Sequence, residues 1–191
     1  MPEDVFERFA EEYDRWFEEH QAGYRAELAR IRRLFPRPDS RALEVGVGSG
    51  RFAAPLGVPL GLEPSRALGR MARGRGVEVI RGRAESIPLR GGSCSSVLMV
   101  TVICFLDDPV PAFQEIRRIL VPQGTLVIGF LEREGEVAQK YLHEKGKHRF
   151  LSRARLYSSG EVQGFLRHTG LRVIAIDSMA GFSVIAARND R

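Results

Sequence analysis

The first 35 residues carry aromatic and aliphatic side chains at steps of three and four positions, a period that is typical of amphipathic helices. This spacing predicts helical structure over residues 4–35, which Gly23 would break into two helices and which two prolines end. The recurring positions are Phe6, Phe9, Tyr13, Trp16, Phe17, His20, Tyr24, Leu28, Ile31 and Phe35. Packing is the simpler interpretation of this aromatic stripe, and a lid over a ligand is the alternative for Tyr13 and Trp16.

After residue 40 the pattern changes to short apolar runs that alternate with helical segments. Such alternation predicts an α/β fold with a parallel sheet, because strands that are buried on both faces are apolar throughout. The predicted strands are residues 41–46, 58–62, 77–81, 96–101 and 125–131, and the predicted helices are residues 65–73 and 109–120, the second of which is stopped by the sequence VPQG. Pro55 limits the helix after the first strand to about one turn.

The C-terminal part of the chain has a different organisation. A helix over residues 159–170 ends at a glycine, and two apolar runs, 171–177 and 182–187, follow with only a few residues between them. Because so short a connection cannot cross the sheet, these two strands must pair in an antiparallel manner.

The composition of the chain is that of one globular domain, with 191 residues of which 43% are hydrophobic and 28% charged. No apolar run approaches the ~18 residues of a membrane-spanning helix, and the acidic N-terminus lacks the apolar segment of a signal peptide. Cys94 and Cys104 have neither the spacing nor the histidine neighbours of a metal site, and they predict no disulfide. We therefore expect a cytoplasmic protein with no metal and no membrane partner.

Three alternate glycines follow the first predicted strand, in the sequence ALEVGVGSG. Gly46, Gly48 and Gly50 predict a tight turn at which the backbone approaches a ligand, and we name residues 46–50 the glycine turn. A dinucleotide-binding turn would carry its third glycine where this chain has Arg51, and the GK[ST] sequence of a P-loop does not occur. An adenosine-like ligand that need not carry a pyrophosphate is the first expectation, and a turn without a ligand is the alternative.

Two acidic residues follow the next two predicted strands. Glu63 ends the second strand beside the glycine turn of any doubly wound sheet, where a carboxylate can accept both hydroxyls of a ribose. Glu85 follows the third strand, where it could meet the edge of an adenine. The alternatives are a solvated acid at a helix start for Glu63 and a helix N-terminal acid for Glu85.

Five motifs, taken in order, give the chain a resemblance to a known family. They are EVGVGSG, LEPS, GRAESIPL, SVLMVTVICFLDDP and EIRRILVPQGTLVI, within roughly residues 40–130. Each is weak alone, but at this spacing they resemble the class I S-adenosylmethionine-dependent methyltransferases, specifically the small-molecule branch called type 11. The resemblance implies a Rossmann-like sheet of seven strands in the order 3-2-1-4-5-7-6, with strand 7 antiparallel and helices on both faces. That topology agrees with the antiparallel pair expected at the C-terminus.

The resemblance also implies which residues bind S-adenosyl-L-methionine. The implied contacts are Glu44, Gly46, Val47, Gly48, Gly50, Glu63, Pro64, Ser65, Ala84, Glu85, Val100 and Thr101. Glu44 and the glycine turn would face the methionine part of the cofactor, and residues 63–65 would hold its ribose and lie beside its adenine. Residues 84 and 85 would lie at the edge of the adenine. Residues 100 and 101 would line the cofactor on the side that faces the substrate.

A general base is less clearly indicated than the binding groups. Cys104 stands where related proteins often carry a histidine, and a small buried residue near the site is the simpler interpretation of it. The candidates for a catalytic base are Tyr13, His143, His148 and Tyr157, for each of which a surface or lid position is the simpler interpretation. Methyl transfer by in-line displacement depends mainly on proximity and orientation, and a base is needed only if the acceptor arrives protonated.

Substrate specificity is expected outside the cofactor-binding core, for which the expected bounds are residues 36–131. Residues 1–35 would form a helical lid and residues 132–157 a basic lid insertion, while residues 158–191 would add the C-terminal helix and strand pair.

The two expected lid segments carry opposite charge. Residues 1–20 hold eight acids and two arginines, whereas residues 140–155, which we name the basic segment, hold six Lys or Arg residues and one acid. The two charges could pair with each other. Alternatively, the basic side chains could recruit an anionic small-molecule acceptor; these are Lys145, Lys147, Arg149, Arg153 and Arg155.

Other classes of function are disfavoured by the sequence. Residues 101–104 lack the Asn/Asp-Pro-Pro-aromatic motif of enzymes that methylate nucleic-acid bases, and no RNA-binding signature occurs, so nucleic acid is not the expected partner. Arg51 and the antiparallel tail disfavour an NAD-dependent oxidoreductase. A non-catalytic cofactor-binding or RNA-modifying protein is the alternative that stays open, and we expect a monomer or a homodimer.

Overall fold

A seven-stranded mixed sheet forms the centre of the protein. The computed structural model describes residues 2–144, 149–179 and 181–191, without the side chains of residues 2–4 and 153. The strands are β1 Ala42–Val45, β2 Leu60–Leu62, β3 Glu78–Ile80, β4 Cys94–Val100, β5 Leu120–Leu131, β6 Leu171–Met179 and β7 Phe182–Asn189. Their order in the sheet is β3-β2-β1-β4-β5-β7-β6, with β1 to β5 parallel and β7 antiparallel to both β5 and β6. The predicted topology is confirmed.

The N-terminal part is helical as expected, but it forms three helices instead of two. The helices are α1 Pro2–Arg8, α2 Ala10–Glu19, α3 Gln21–Leu34, α4 Ala53–Leu56, α5 Arg66–Gly74, α6 Pro109–Ile119, α7 Glu136–His143 and α8 Ser159–His168, and short 3-10 turns lie at Ile103–Phe105 and Leu151–Arg153. The breaks fall at Phe9 and His20, so the break that was expected at Gly23 was wrong. Gly23 lies inside α3 at an open surface position, where a glycine costs only about 1 kcal/mol. The two bends let α1 pack on α5 and α3 pack on β5 and β7.

Strand β5 begins earlier than the sequence predicted. The segment VPQG, which was expected to be a stop, belongs to the strand, because Leu120 pairs with Cys94 directly after α6 ends. A shift of register between Cys94 and Ser96, together with a positive φ of 63° at Gln123, accommodates this irregular start. Regular pairing then resumes where Thr125 lies opposite Ser96, which is where the apolar pattern of the strand starts.

The core lies on both faces of the sheet. Alternate residues of β4 separate into two clusters, with Val97 packed in the cluster that α6 and α8 cover and Leu98 in the cluster that α3, α4 and α5 cover. Phe113 of α6 is fully buried, and burying a side chain of this kind stabilises the fold by about 1.5–3 kcal/mol. This double cover leaves the carboxyl ends of β1, β2 and β4 open for ligands.

Candidate active site

A cavity of about 170 Å³ lies at the carboxyl ends of β1, β2 and β4, where the strand order reverses between β1 and β4. Ligands bind at such a switch point in open α/β sheets. The predicted cofactor residues that line the cavity are Gly46, Gly48, Glu63, Pro64, Ala84, Glu85, Val100 and Thr101. Leu62, Leu68 and Gly82 line it as well, although the sequence did not single them out.

The glycine turn has the backbone that its sequence predicted. Gly46, Gly48 and Gly50 have φ values of 70°, 53° and 85°, a region that side chains other than glycine rarely adopt. A Cβ atom on Gly46 would lie 2.3 Å from Val102 Cγ2, so the turn also has no space for one. Gly50 serves packing instead, because a Cβ there would lie 3.1 Å from the Cα of Ala72 in α5.

Glu63 connects the glycine turn to the start of α5. Its Oε2 accepts a hydrogen bond of 2.8 Å from the Gly48 N–H, and its Oε1 accepts one of 3.0 Å from the Ser65 N–H. Only 6% of Glu63 is exposed, so the carboxylate is held beside the cavity in one place. Ser65 does not line the cavity, because its hydroxyl caps α5 through the Leu68 N–H and donates to Glu7 Oε2.

Two further predicted contacts, Glu44 and Val47, line a smaller cavity beneath the glycine turn. Glu44 is 1% exposed, and its Oε2 has no hydrogen-bond partner among the described residues. Burial raises the pKa of Glu44 well above its usual range, the negative charge of Glu63 raises it further, and a hydrogen bond from the Ala53 backbone opposes the shift. A buried carboxyl oxygen without a partner is a candidate for contact with a polar ligand.

Thr101 directly follows β4 and has a strained backbone. Its φ of 54° is rare for a β-branched residue, and it is held there because its N–H donates to Gly129 O over 2.7 Å. Strain of this kind is characteristic of functional sites, where the surrounding structure keeps a residue in one place. Cys104 lies just beyond, buried as expected, with its Sγ donating to Thr101 O. Burial raises the pKa of the Cys104 thiol to about 12, which leaves it unreactive.

Of the three candidate bases in the described part of the chain, Tyr13 is the one that reaches the cavity. Its ring lies over the glycine turn, with Cε1 3.5 Å from the position of a Cβ on Gly48. Burial raises the pKa of Tyr13 above its usual range, and the carboxylates of Glu63 and Glu44 raise it further. The phenol therefore keeps its proton at neutral pH and can act as a hydrogen-bond donor.

The other two described candidates for a base lie away from the cavity. His143 is exposed on α7, with Nδ1 3.2 Å from the carbonyl oxygen of Gln139. Tyr157 is 5% exposed and packs edge-on against Phe165 in the core beneath α8. His148 lies outside the described residues, as do Lys145 and Lys147 of the basic segment.

Aromatic rings form a cluster on the other side of the cavity, and the sequence did not bring them together. The ring cluster consists of Phe6, Tyr13, Phe105 and Phe150. Ring centroids are 5.4 Å apart for Phe6 and Tyr13, 5.0 Å for Phe6 and Phe105, and 5.5 Å for Phe6 and Phe150. Phe6 belongs to the predicted aromatic stripe, but no signal in the sequence linked Phe105 or Phe150 to it.

Comparison with known proteins decides the family. A family model for a methyltransferase domain matches residues 43–128, which contain the glycine turn, Glu63 and Thr101. A crystal structure from Thermotoga maritima, of a protein described as a S-adenosylmethionine-dependent methyltransferase and a possible histamine N-methyltransferase, superposes with a TM-score of 0.92. It is 36% identical to this chain, and the match covers 99% of this chain and 100% of that one. This chain belongs to the S-adenosylmethionine-dependent methyltransferases.

Two relatives of this methyltransferase carry no described activity. An uncharacterized protein of Methanocaldococcus jannaschii is 34% identical over 170 residues, which cover 89% of this chain and 82% of the relative. An uncharacterized protein of Mycobacterium tuberculosis is 39% identical over 171 residues, and this chain spans 60% of its length. None of the described helices of the methyltransferase is long and apolar enough to cross a membrane.

The cofactor of this family is S-adenosyl-L-methionine, as the resemblance implied, and the residues around the cavity fit it. Leu62, Pro64, Leu68 and Ala84 give the cavity an apolar lining of the kind an adenine needs, and the buried carboxylate of Glu63 stands at the end of β2. Within the described chain, no group of three or more His, Cys, Asp or Glu residues could hold a metal ion.

Proposed function

We propose that the protein transfers the methyl group of S-adenosylmethionine to a small-molecule acceptor that binds against the ring cluster. The observation that carries this proposal is the composition of one cavity. Its strand side combines the glycine turn with the carboxylate of Glu63, whereas its helix side presents Phe6, Tyr13 and Phe105. A donor site and an acceptor site that share one cavity bring the reacting groups together, which supplies most of the rate in a displacement reaction.

The strand side would hold the cofactor. Glu44 and the glycine turn would hold the methionine part, Glu63 would accept the ribose hydroxyls, and residues 64, 84 and 85 would border the adenine. When bound, the cofactor supplies an electrophilic methyl group on a positively charged sulfur. Gly50 and Ser65 would support this site from outside the cavity, since the first packs on α5 and the second caps that helix.

The helix side would orient the acceptor without removing a proton from it. The Tyr13 hydroxyl, which keeps its proton, would donate a hydrogen bond to the acceptor, and the rings would exclude water from it. A neutral acceptor with a free lone pair needs no base for this displacement. Thr101 and Val102, where β4 ends, would separate the acceptor from the glycine turn.

The two charged segments would form the two-part lid, and their described contacts favour pairing over anion recruitment. Arg149 of the basic segment lies 3.3 Å from Glu12 of α2, and its guanidinium stacks 3.8 Å from the ring centre of Phe9. Phe150 packs against the rings of Phe6 and Tyr13. The described cations of the basic segment do not line the cavity. The acceptor that fits best is therefore neutral or cationic, and the description of the Thermotoga maritima protein favours an amine.

Titration calorimetry and a methylation screen test this function. We expect the protein to bind S-adenosylmethionine and not NAD, and to release S-adenosylhomocysteine when aromatic or imidazole-bearing amines are added. Phe150→Ala should raise the KM for the acceptor and leave cofactor affinity within about twofold, because Phe150 supports the rings of Phe6 and Tyr13 from outside the cavity. Arg149→Gln is the matched control for charge. If the wild type methylates carboxylic acids and Arg149→Gln abolishes that activity, the proposal of a neutral or cationic acceptor would be contradicted.

A further inference from the structure

Two arginines tie helix α2 to the glycine turn. Arg51 directly follows the turn, and its Nε and Nη2 donate to Oδ1 and Oδ2 of Asp14 over 2.8 and 2.6 Å. Arg75 follows α5, and its Nη2 donates to Asp14 Oδ2 over 2.7 Å while its Nη1 donates to the carbonyl oxygen of Ser49 in the turn over 2.8 Å. One carboxylate on α2 thus accepts three hydrogen bonds from two guanidinium groups that are themselves attached to the turn. We name Asp14, Arg51 and Arg75 the clamp.

The clamp lies beside the residue that closes the cavity. Asp14 follows Tyr13 in α2, and a helix rises only 1.5 Å per residue, so α2 cannot move away from the two arginines without carrying the Tyr13 ring with it. The Tyr13 ring in turn covers Gly48, whose N–H is bonded to Glu63. The contacts therefore form a continuous path from Asp14 through Tyr13 and the glycine turn to the proposed ribose-binding carboxylate.

Asp14 is well suited to such a role because it is both buried and charged. It is 8% exposed, and burial alone would raise its pKa, but the hydrogen bonds from Arg51 and Arg75 outweigh burial and lower the pKa to about 2. Removing one partner of a buried ion pair is strongly destabilising, because the remaining charges lose their compensation. Glu18 also accepts a hydrogen bond from Arg51, but its side chain is 60% exposed, where an ion pair contributes little.

We propose that Asp14 is a positioning residue that couples the docking of α2 to cofactor binding at the glycine turn. This proposal rests on the proposed function, since it requires that the turn binds S-adenosylmethionine. Because coupling between two equilibria is reciprocal, α2 that is docked by the clamp strengthens cofactor binding, and the bound cofactor strengthens the docking of α2. Tyr13 then reaches its place over the turn only when both are in position.

The comparison of Asp14→Asn with Glu18→Gln tests the clamp. Both variants remove a carboxylate that is bonded to Arg51, so they differ in burial rather than in the kind of change. Trp16, the single tryptophan of the chain, lies on α2, where it is partly buried against the core cluster that contains Phe52 of the segment after the turn. The quenching of its fluorescence by acrylamide therefore reports the docking of α2. Cofactor affinity is measured by calorimetry on the same samples.

We expect Asp14→Asn to raise the quenching of Trp16 without a ligand and to weaken S-adenosylmethionine binding by about 10- to 100-fold. Glu18→Gln should leave both within about twofold of the wild type. Arg75→Gln is the substitute variant if Asp14→Asn does not fold. It removes the bridge from Ser49 to Asp14 but keeps the Arg51 pair, so we expect an effect on quenching and affinity between those of Asp14→Asn and Glu18→Gln. Saturating cofactor should restore most of the wild-type protection of Trp16 in Asp14→Asn.

The outcomes separate the clamp from the proposed function. Wild-type affinity and wild-type quenching in Asp14→Asn, even with a lower melting temperature, would overturn the clamp and leave the proposed function intact. Equal effects of Asp14→Asn and Glu18→Gln would overturn it as well. A wild-type protein that does not bind S-adenosylmethionine would instead overturn the proposed function, and the coupling with it.

Discussion

A single methyl group added to β2 should disturb the glycine turn through its contact with Val47. Gly61 lies in the middle of β2, and a Cβ there would lie 2.5 Å from Val47 Cγ1 and 2.7 Å from Val47 Cβ. Val47 is 4% exposed, and its N–H is held by Leu62 O over 3.0 Å, so it cannot withdraw freely. Gly61→Ala must therefore displace the Val47 side chain or shift the turn, although the backbone of a strand accepts alanine without strain.

The expected loss in the free energy of unfolding follows from known packing energies. Overpacking of this kind costs typically about 1–3 kcal/mol, so Gly61→Ala should lower the free energy of unfolding by about 2 kcal/mol. Val47→Ala removes two buried methyl groups and leaves a cavity, which should also cost about 2 kcal/mol. In the double variant the new methyl occupies space that Cγ1 and Cγ2 of Val47 vacated, but the Cβ that alanine keeps at position 47 is still 2.7 Å away, so the relief is partial. We expect a combined loss near about 3 kcal/mol instead of the additive ~4 kcal/mol, a coupling of about 1 kcal/mol.

Denaturant unfolding of the wild type and the three variants measures the coupling, and calorimetry measures cofactor affinity in parallel. Gly61→Ala should weaken S-adenosylmethionine binding because it displaces the glycine turn, and Val47→Ala should restore part of the affinity because it removes two of the three overlapping atoms. Gly164→Ala in α8 is the control, since a Cβ there meets nothing within 4 Å and should stabilise the helix by about 0.5–1 kcal/mol. If the loss of unfolding free energy in the double variant equals the sum of the two single losses to within about 0.5 kcal/mol, that result would refute the packing argument.

Three further outcomes are expected. Glu63→Gln should weaken S-adenosylmethionine binding by about 10- to 100-fold in calorimetry, since hydrogen bonds to a charged group are lost, whereas the exposed Glu85 should tolerate the same change within a few fold. His143→Ala should keep kcat/KM within about twofold because the ring is exposed and outside the cavity, and a fall of two orders of magnitude would identify it as a base. Burial raises the pKa of Glu27 in α3 from 4.5 to about 7. The folded state then binds the proton more tightly, so stability is complete below pH 4.5 and falls as the pH rises through 7, by at most about 3 kcal/mol. Because the buried Glu44 contributes in the same direction, the free energy of unfolding of Glu27→Gln should still fall with pH, but by less than that of the wild type over this range; equal slopes in denaturant unfolding would contradict the assignment.

The sheet could be predicted because each strand carries its own pattern and neighbouring elements limit its partners. Continuous apolar runs mark strands that are buried on both faces, and a short connection forces β6 and β7 to be antiparallel. The beginning of β5 was missed because the pairing of Leu120 with Cys94 is a tertiary contact that no local pattern records. The breaks at Phe9 and His20 were missed for the same reason, since the helices bend to follow the surface that they cover.

The residues of the site also divide into those that the sequence could place and those that it could not. Glu63 could be placed at the cavity because it directly follows a strand and the carboxyl ends of parallel strands meet there, whereas Thr101 was placed there by the resemblance to the family. Phe105 and Phe150 could not, because they come from separate segments that meet only in the folded chain. Position after a strand is also not sufficient, since Ser65 uses its hydroxyl for a helix cap and does not line the cavity.

Arg51 shows how one position can serve both sides of the site. In a dinucleotide-binding turn a glycine stands here, which allows a long helix to pack closely on the strand. In this chain α4 has only four residues, so the position is free to carry a long side chain that leaves the turn and reaches the acids of α2. The backbone of Arg51 is fixed as well, because the Tyr24 hydroxyl of α3 donates to its carbonyl oxygen. The residue that disfavours a dinucleotide is thus also one that attaches α2 to the turn, and a glycine at this position would leave Asp14 with its hydrogen bond from Arg75.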